Sequence, residues 1–442
     1  MPYTEAVKKT VTAMTLREMG EQHRKLLPRA ELGKFDVSKR KHTALELLDE
    51  AAHDRVPSLV KLKNERMALS PFGFFRGAVP VMAYDLSLSP HTGIEVQLCG
   101  DAHVQNLGAY AGMDGRLIFD INDFDETLRG PFEWDVKRMA TSIQLAGQAA
   151  KVKPSSSREA VESFLTAYCG LMRRFAGMPV LAVARYVVHR LGAIEPVERI
   201  LRKAERANPL LSLDQLTEVK GKGRIFRTKP PVLRPVTGKE AQGVLDSLAE
   251  FSSSLLPERR KFLAKFRPVA VGFKVVGTGS VGLRDYCVLL EGNGAGDPLF
   301  LQIKQEVRSA YAAYLPQRVP LPKNEGQRVV EGQRAMQLQS DPMLGWTSIG
   351  GYSFLVRQLN DHKAGINIAT LKSAGLEAYA AVCGEMLARG HARSGECREI
   401  NGYIGSGSRF RQGIQEFATA YAAQTAADWR LLVARQKMLK KR

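Results

Sequence analysis

The chain is short of cysteine, of acidic residues and of long apolar runs, and each shortage excludes something. Five cysteines among 442 residues (Cys99, Cys169, Cys287, Cys383 and Cys397) make an odd set with no C-x-x-C pair, which argues against a disulfide framework and a zinc ribbon. A reducing cytoplasm is the expected location. No stretch reaches the ~18 uninterrupted apolar residues of a membrane span, and Met1 to Met14, with Glu5, Lys8 and Lys9, lacks the apolar core of a secretory signal. Neither export nor membrane insertion is expected. Asp plus Glu number 45 against 64 Lys plus Arg, a formal charge of +19 that favours anionic partners such as phosphates, nucleotides, nucleic acid or acidic surfaces. The remainder is ordinary for a folded protein, with 44% hydrophobic and 25% charged residues, in a length that allows two or three compact units.

The first sixty-odd residues are rich in charge and helix formers, with Leu45, Leu47, Leu48 and Ala51 at helical spacing, and read as a helical arm. Strict alternation at Ile94, Val96 and Leu98 and again at Leu117, Phe119 and Ile121 predicts two short strands flanking Gly100 to Arg116. Helical patterning runs from about Lys137 to Arg206, with a start signal at Pro154 and Ser155 to Ser157. Val219 to Lys239 carries Lys220, Lys222, Arg224, Arg227, Lys229, Arg234 and Lys239 with no acid and three prolines, and reads as a basic loop or hairpin. Strand-like segments at Val269 to Val276, Tyr286 to Leu290 and Leu299 to Ile303 predict a small antiparallel sheet. Helices follow at Glu325 to Gln339 and Ile368 to Arg389.

Two segments carry chemistry. The first reads Cys99-Gly100-Asp101-Ala102-His103-Val104-Gln105-Asn106, then Phe119-Asp120-Ile121-Asn122-Asp123-Phe124-Asp125-Glu126. An Asp on a turn after one strand, an Asn five positions later and an acidic cluster after the next strand are oxygen donors that suit Mg²⁺, which binds through one or two carboxylates plus substrate phosphates. Taken singly, either piece reads as a polar turn. The second is Gly277-Thr278-Gly279-Ser280-Val281-Gly282, followed by the strand at Asp285 to Leu290 rather than the helix of a dinucleotide fold, so the glycines fall in a hairpin loop. On the next strand, alternation sets Lys304 opposite Leu299, Leu301 and Ile303.

Gly-Asp-x-His-x-x-Asn at 100 to 106 resembles the catalytic loop of the aminoglycoside-phosphotransferase branch of kinase-like enzymes, and Asp123-Phe124-Asp125 resembles the metal motif that follows it. The resemblance implies Asp101 as the catalytic base or hydroxyl-orienting residue and Asn106 and Asp123 as Mg²⁺ ligands, with Asp125 and Asp120 as rival ligands. Pro131-Phe132-Glu133-Trp134-Asp135 is similar to the segment whose Asp braces the catalytic loop, a role that falls to Asp135. The loop with Gly277, Gly279, Ser280 and Gly282 resembles a glycine-rich loop over nucleotide phosphates, and Lys304 the strand lysine that grips them. Glu331, with Glu325 second, is the helix carboxylate expected to pair with Lys304. Tyr352 to Gln358 resembles the last strand and hinge. These motifs stand in a different chain order from kinases, with the glycine loop and lysine after the catalytic loop, as a circular permutation would produce.

From about residue 50 to the end the chain resembles the bacterial family catalogued as domain of unknown function 2252 (DUF2252), on Ser70 to Gly77, the two motifs above, Gly326 to Arg334 and His391 to Gly395. Arg76 and Arg357 are candidate phosphate or substrate contacts, with structural ion pairs as the alternative, and His103 is expected beside the substrate. The expected fold is therefore α+β, protein-kinase-like and two-lobed in circularly permuted order. Its parts are a helical arm at 1–65, a catalytic region at 66–265, a small nucleotide-binding sheet domain at 266–360 and C-terminal helices at 361–442. The expected activity is ATP- and Mg²⁺-dependent phosphoryl transfer to a hydroxyl acceptor that the sequence does not identify. The alternatives are adenylyl transfer from ATP and a non-enzymatic module binding nucleic acid or other anions through Val219 to Lys239 and the tail Arg430, Arg435, Lys437, Lys440, Lys441 and Arg442.

Overall fold

The computed structural model describes residues 13–440 except 113, 189–190, 208, 222, 276 and 360–363. Glu5, Lys8, Lys9, Lys222, Val276, Lys441 and Arg442 therefore lie outside the described residues. The architecture is α+β, with antiparallel sheets and with helices interleaved among their strands along the chain. Among the described residues no helix is long and apolar enough to cross a membrane.

The arm is built from short helices whose ends the sequence specifies. Thr43 and Glu46 form a capping box on Ala44–Glu50, Pro57 opens Pro57–Ala68, and Ser70 caps Pro71–Gly77 by accepting from Gly73 N–H at 3.0 Å. Leu47, Leu48 and Met67 bury their side chains with Phe74, Val81 and Leu432, so the arm is fastened to the C-terminal helix Ser408–Lys440.

The small sheet has six antiparallel strands in the order Gly345–Ile349, Tyr352–Gln358, Pro298–Glu306, Asp285–Glu291, Arg267–Lys274, Leu233–Val236. One face packs Leu299, Leu301, Ile303, Val288 and Phe354 with Val244 and Phe251 from two flanking helices. The other face packs Leu289 and Phe300 with Phe226 and Leu359. Burial on both sides explains why Asp285–Glu291 reads as a continuous apolar run rather than an alternating one. This core draws on Val236, Val244 and Phe251, so the boundary expected at residue 266 falls inside the sheet lobe.

Of the two forms expected for the basic segment, loop or hairpin, its first part takes the hairpin. Thr217–Lys220 and Gly223–Phe226 form a hairpin, and Leu233–Val236 joins the sheet edge. Several of its cations find local acceptors: Arg227 meets Glu218 at 3.4 Å, and Arg234 meets Glu240 through both guanidinium termini. In the tail, Arg435 pairs with Asp49 of the arm.

The larger core wraps the acidic turns. Phe132–Ala149 is buried along nearly its whole length, and its four early charges are all engaged. Glu133 accepts from Thr92, Asp135 and Arg138 serve the turn described below, and Lys137 lies 4.4 Å from the Phe417 ring centroid. Pro154–Ala176 packs along Ser373–Ser394, and Tyr379 in the latter donates its hydroxyl to Val104 O at 2.9 Å. The chain leaves the large core for the sheet, touches it again through Tyr311, Leu315, Val329, Val330 and Met336, and rejoins it from Ile366 onward. The sequence pattern does not predict Leu107–Ala111, Leu128–Pro131 or Gly345–Ile349; the first pairs with Leu117–Ile121, so the segment between the predicted strands is a turn followed by a hairpin.

Candidate functional site

The strand Glu95–Leu98 delivers the chain into the turn at 99–106, and the helix starting at Phe132 holds that turn from below. Asp135 accepts from Cys99 N–H at 2.7 Å and Gly100 N–H at 3.1 Å, while Tyr311 donates to Gly100 O at 2.7 Å. One turn along the helix, Arg138 directs Nε and Nη2 onto Asp101 Oδ1 at 2.8 and 2.6 Å. Asp101 Oδ2 is left facing the cleft, 3.6 Å from His103 Nε2. His103 Nδ1 accepts from Gln105 N–H, which puts the ring proton on Nε2. Burial lowers His103 to about 4, with Arg76 and Arg138 adding to the shift and Asp101 opposing it, so the ring is neutral at physiological pH.

Asn106 has a different duty from the one expected. Its Nδ2 donates to the carbonyls of Asp101 and Asp123, and its Oδ1 accepts from Asp123 N–H at 2.7 Å, so the amide clasps the two acidic turns together. Asn106 is 2% exposed and does not line the cleft. The carboxylates available to a cation are those of Asp123 and Asp125. Asp120 points away, into a buried ion pair with Arg389.

Lys304, 2% exposed, crosses from the sheet to this acidic pair. It donates to both oxygens of Asp125 and to Asp123 Oδ1 at 3.2 Å. Burial opposes a charge on Asp123, but the Lys304 ammonium overrides it and holds Asp123 well below the usual carboxylate range. Asp125 is pushed up to about 7 by burial and by the Asp123 charge. The two carboxylates titrate as a pair.

The loop between Arg267–Lys274 and Asp285–Glu291 closes over the same cleft. Gly277, Gly279 and Ser280 line one cavity with Asp101, Asp123 and Asp125. Gly282 has φ +99° and carries the Arg55 side chain against its α-carbon, a place that only glycine fills without strain. The arm straps this loop: Arg55 donates to Val281 O, Val56 N–H to Gly282 O, and Arg66 to Gly277 O. Arg76 also lines the cavity; it donates to Gln105 Oε1, and its Nε has no partner among the described residues. The cavity measures about 70 Å³, and a neighbour of about 250 Å³ shares Arg55, Pro80, Glu126, Leu283 and Val307 with it.

Three further expected residues sit elsewhere. Glu331 is exposed on the outer face of Glu325–Met336, takes a hydrogen bond from Gln327 at 2.8 Å and does not meet Lys304. Glu325 pairs with Arg328. The helix turns Arg328 inward instead, where it donates to the carbonyls of Asp125, Thr127 and Val307. Arg357 fastens the acidic turn to the sheet through Asn122 O and Gln302 Oε1, each at 3.0 Å, and does not line the cavity.

The structure thus brings Asp101, His103, Asp123, Asp125, Lys304, Arg76 and the glycine loop together. It adds Glu126 from the acidic cluster, and Arg138, Arg55 and Glu306, which sequence reasoning missed. Arg138 was findable, since it lies one helical turn after Asp135 on the same face. Arg55 and Glu306 carry no local signature. Among the described residues no group of three or more His, Cys, Asp or Glu forms a metal cage. A Mg²⁺ ion asks for less: an all-oxygen pair such as Asp123 and Asp125 fits an ion that takes its other ligands from water and phosphate, provided Lys304 gives way.

Residues 55–435 match the family model described as "Uncharacterized protein conserved in bacteria (DUF2252)", which covers most of the chain; the protein belongs to that family. No curated protein and no solved structure matches it.

Proposed function

We propose that this DUF2252 protein is an ATP- and Mg²⁺-dependent phosphotransferase acting on a hydroxyl acceptor, on a kinase-like scaffold in circularly permuted order. The observation that carries the reading is the contact of Lys304 with Asp123, 181 positions apart, beneath a glycine loop that lines the same cavity. Support for the scaffold comes from the small sheet, where a glycine hairpin, a lysine strand, a helix and two further strands follow one another in chain order.

In this reading Asp101 orients the acceptor hydroxyl through Oδ2, because Arg138 holds Oδ1 and fixes the carboxylate plane. Asp123 and Asp125 are the residues that would hold the metal, which when bound supplies charge neutralisation for the transferring phosphoryl group. Lys304 and the loop amides receive phosphate oxygens. A cavity of about 70 Å³ takes a phosphate group and not a whole nucleotide. Nucleotide entry therefore requires the strap at Arg55, Val56 and Arg66 to yield.

Calorimetric titration of ATP, with and without Mg²⁺, into folded wild type, Lys304→Ala and Asp123→Asn tests the reading. Metal-dependent binding, weakened about tenfold or more by each substitution, is expected, since a charged contact to phosphate contributes about 1.5–3 kcal/mol. Absence of binding by the folded wild type removes it. Where turnover is found, ADP as product marks phosphoryl transfer and pyrophosphate marks adenylyl transfer.

A further inference from the structure

A lysine on a flexible four-carbon stem needs a fixed anion to aim it, and Lys304 now takes that anion from Asp123 and Asp125. Those are the carboxylates a cation would claim. The helix Glu325–Met336 offers no replacement, since Glu331 faces outward, Glu325 is tied to Arg328, and Arg328 occupies the inward position.

Lys304's own strand does offer one. Glu306 lies two residues further along Pro298–Glu306, on the same face of the sheet, at the position paired with Ser353. It is 4% exposed and lines the cavity that Asp123 and Asp125 line. Its Oε1 has no hydrogen-bond partner among the described residues. A buried carboxylate oxygen without a partner is costly, so a residue kept in this state is matched to a donor that reaches it in another one. Burial and the Asp125 charge push Glu306 well up toward its neutral form; of the two cations that oppose this, Arg328 is tied to three carbonyls, and Lys304, on Glu306's own strand, is now held by Asp125.

We propose that Glu306 is the positioning carboxylate of Lys304: when Asp123 and Asp125 are engaged elsewhere, the ammonium passes to Glu306 and stays directed into the cleft. The pairing itself stands on the structure alone; its use in holding a nucleotide rests on the function proposed above.

The two parts separate experimentally. Lys304 acylation by an amine-reactive ester, followed by peptide mass spectrometry on the folded, ligand-free protein, reads the pairing without any nucleotide. In an Asp123→Asn/Asp125→Asn background Lys304 has lost its present partners, and Glu306 is expected to keep it slow to react. Adding Glu306→Gln is expected to speed its labelling about tenfold, the effect of a one-unit fall in lysine pKa, while labelling of other lysines and the outward Glu331→Gln control stay unchanged. Labelling at the background rate after Glu306→Gln overturns the proposal. Should that variant not fold, Glu306→Asp, which withdraws the carboxylate by one methylene, makes the same comparison: faster labelling supports the pairing and an unchanged rate overturns it. In the nucleotide arm, Mg²⁺-ATP binding is expected to weaken in Glu306→Gln, and the double variant with Lys304→Ala to be no weaker than Lys304→Ala alone; additive losses overturn it. If the wild type binds no ATP, the phosphotransferase reading fails and the labelling result still decides Glu306.

Discussion

Arg138 sets two guanidinium nitrogens on a single oxygen of Asp101, at 2.8 and 2.6 Å, and so leaves the other oxygen to the cleft. The arginine is fully buried, with its guanidinium 4.3 Å from the Phe75 ring centroid, whereas the Asp101 side chain is 18% exposed. The two ends of this pair are therefore unequal.

Removing the carboxylate strands a cation in the core, and removing the cation leaves a carboxylate that can still meet water. Asp101→Ala should destabilise by about 3–5 kcal/mol, the usual cost of breaking a buried pair from one side. Arg138→Met, which keeps most of the volume, should cost less than half of that. Urea midpoints of the two variants compare them, and equal losses would contradict the assignment of burial to the arginine end.

His103 gives the acid limb a shape. Its folded pKa of about 4 lies below the 6.5 of a free imidazole, so between these values the unfolded chain binds the proton and the folded one does not. Stability from this residue is complete above pH 6.5 and is lost as the pH falls toward 4, by about 3 kcal/mol at most. His103→Asn, which retains an acceptor for Gln105 N–H, should remove that slope. Denaturation series at pH 7.5, 6 and 4.5 read it, and an unchanged gap between variant and wild type across the series would refute it.

The strap over the glycine loop predicts a local effect that needs no ligand. Arg55 and Arg66 each donate to a loop carbonyl, and a hydrogen bond of this kind is worth about 1 kcal/mol net. Arg55→Ala/Arg66→Ala should speed amide hydrogen exchange across residues 277–283 about tenfold or more, with the helix Phe132–Ala149 unaffected. Exchange that rises equally in both places would mean global loosening.

What was legible in the chain was what is local. Asp101 and Asp123 stand in turns just after short strands and were legible through the motifs they resemble, while alternation along Pro298–Glu306 gives the side of the sheet that Lys304 takes. Leu107–Ala111 escaped because a strand buried on both faces shows no alternation and its Gly108 and Ala109 look like turn. Glu331 misled because a helix pattern gives a stripe and not the neighbour it meets; the inward place went to Arg328, whose long stem reaches three carbonyls at once. The hairpin in the basic segment was legible, but its partner acids, Glu218 at its border and Glu240 just beyond it, lie outside the segment, so the composition of the segment alone overstates its free charge.

The bond between Lys304 and Asp123 also has a history within each molecule. Asp101, Asp123, Asp125 and Glu126 emerge from the ribosome first, and the lysine follows 181 positions after Asp123. At the usual pace of synthesis that is a wait of roughly 10–40 s. During it the nascent acidic turns have Arg138, the Asn106 clasp and the earlier cations Arg55 and Arg76, but not the ammonium that touches both Asp123 and Asp125. The site is thus assembled from an early half and a late half, and a ribosome stalled before residue 304 carries the acidic turns without the lysine that joins them to the sheet.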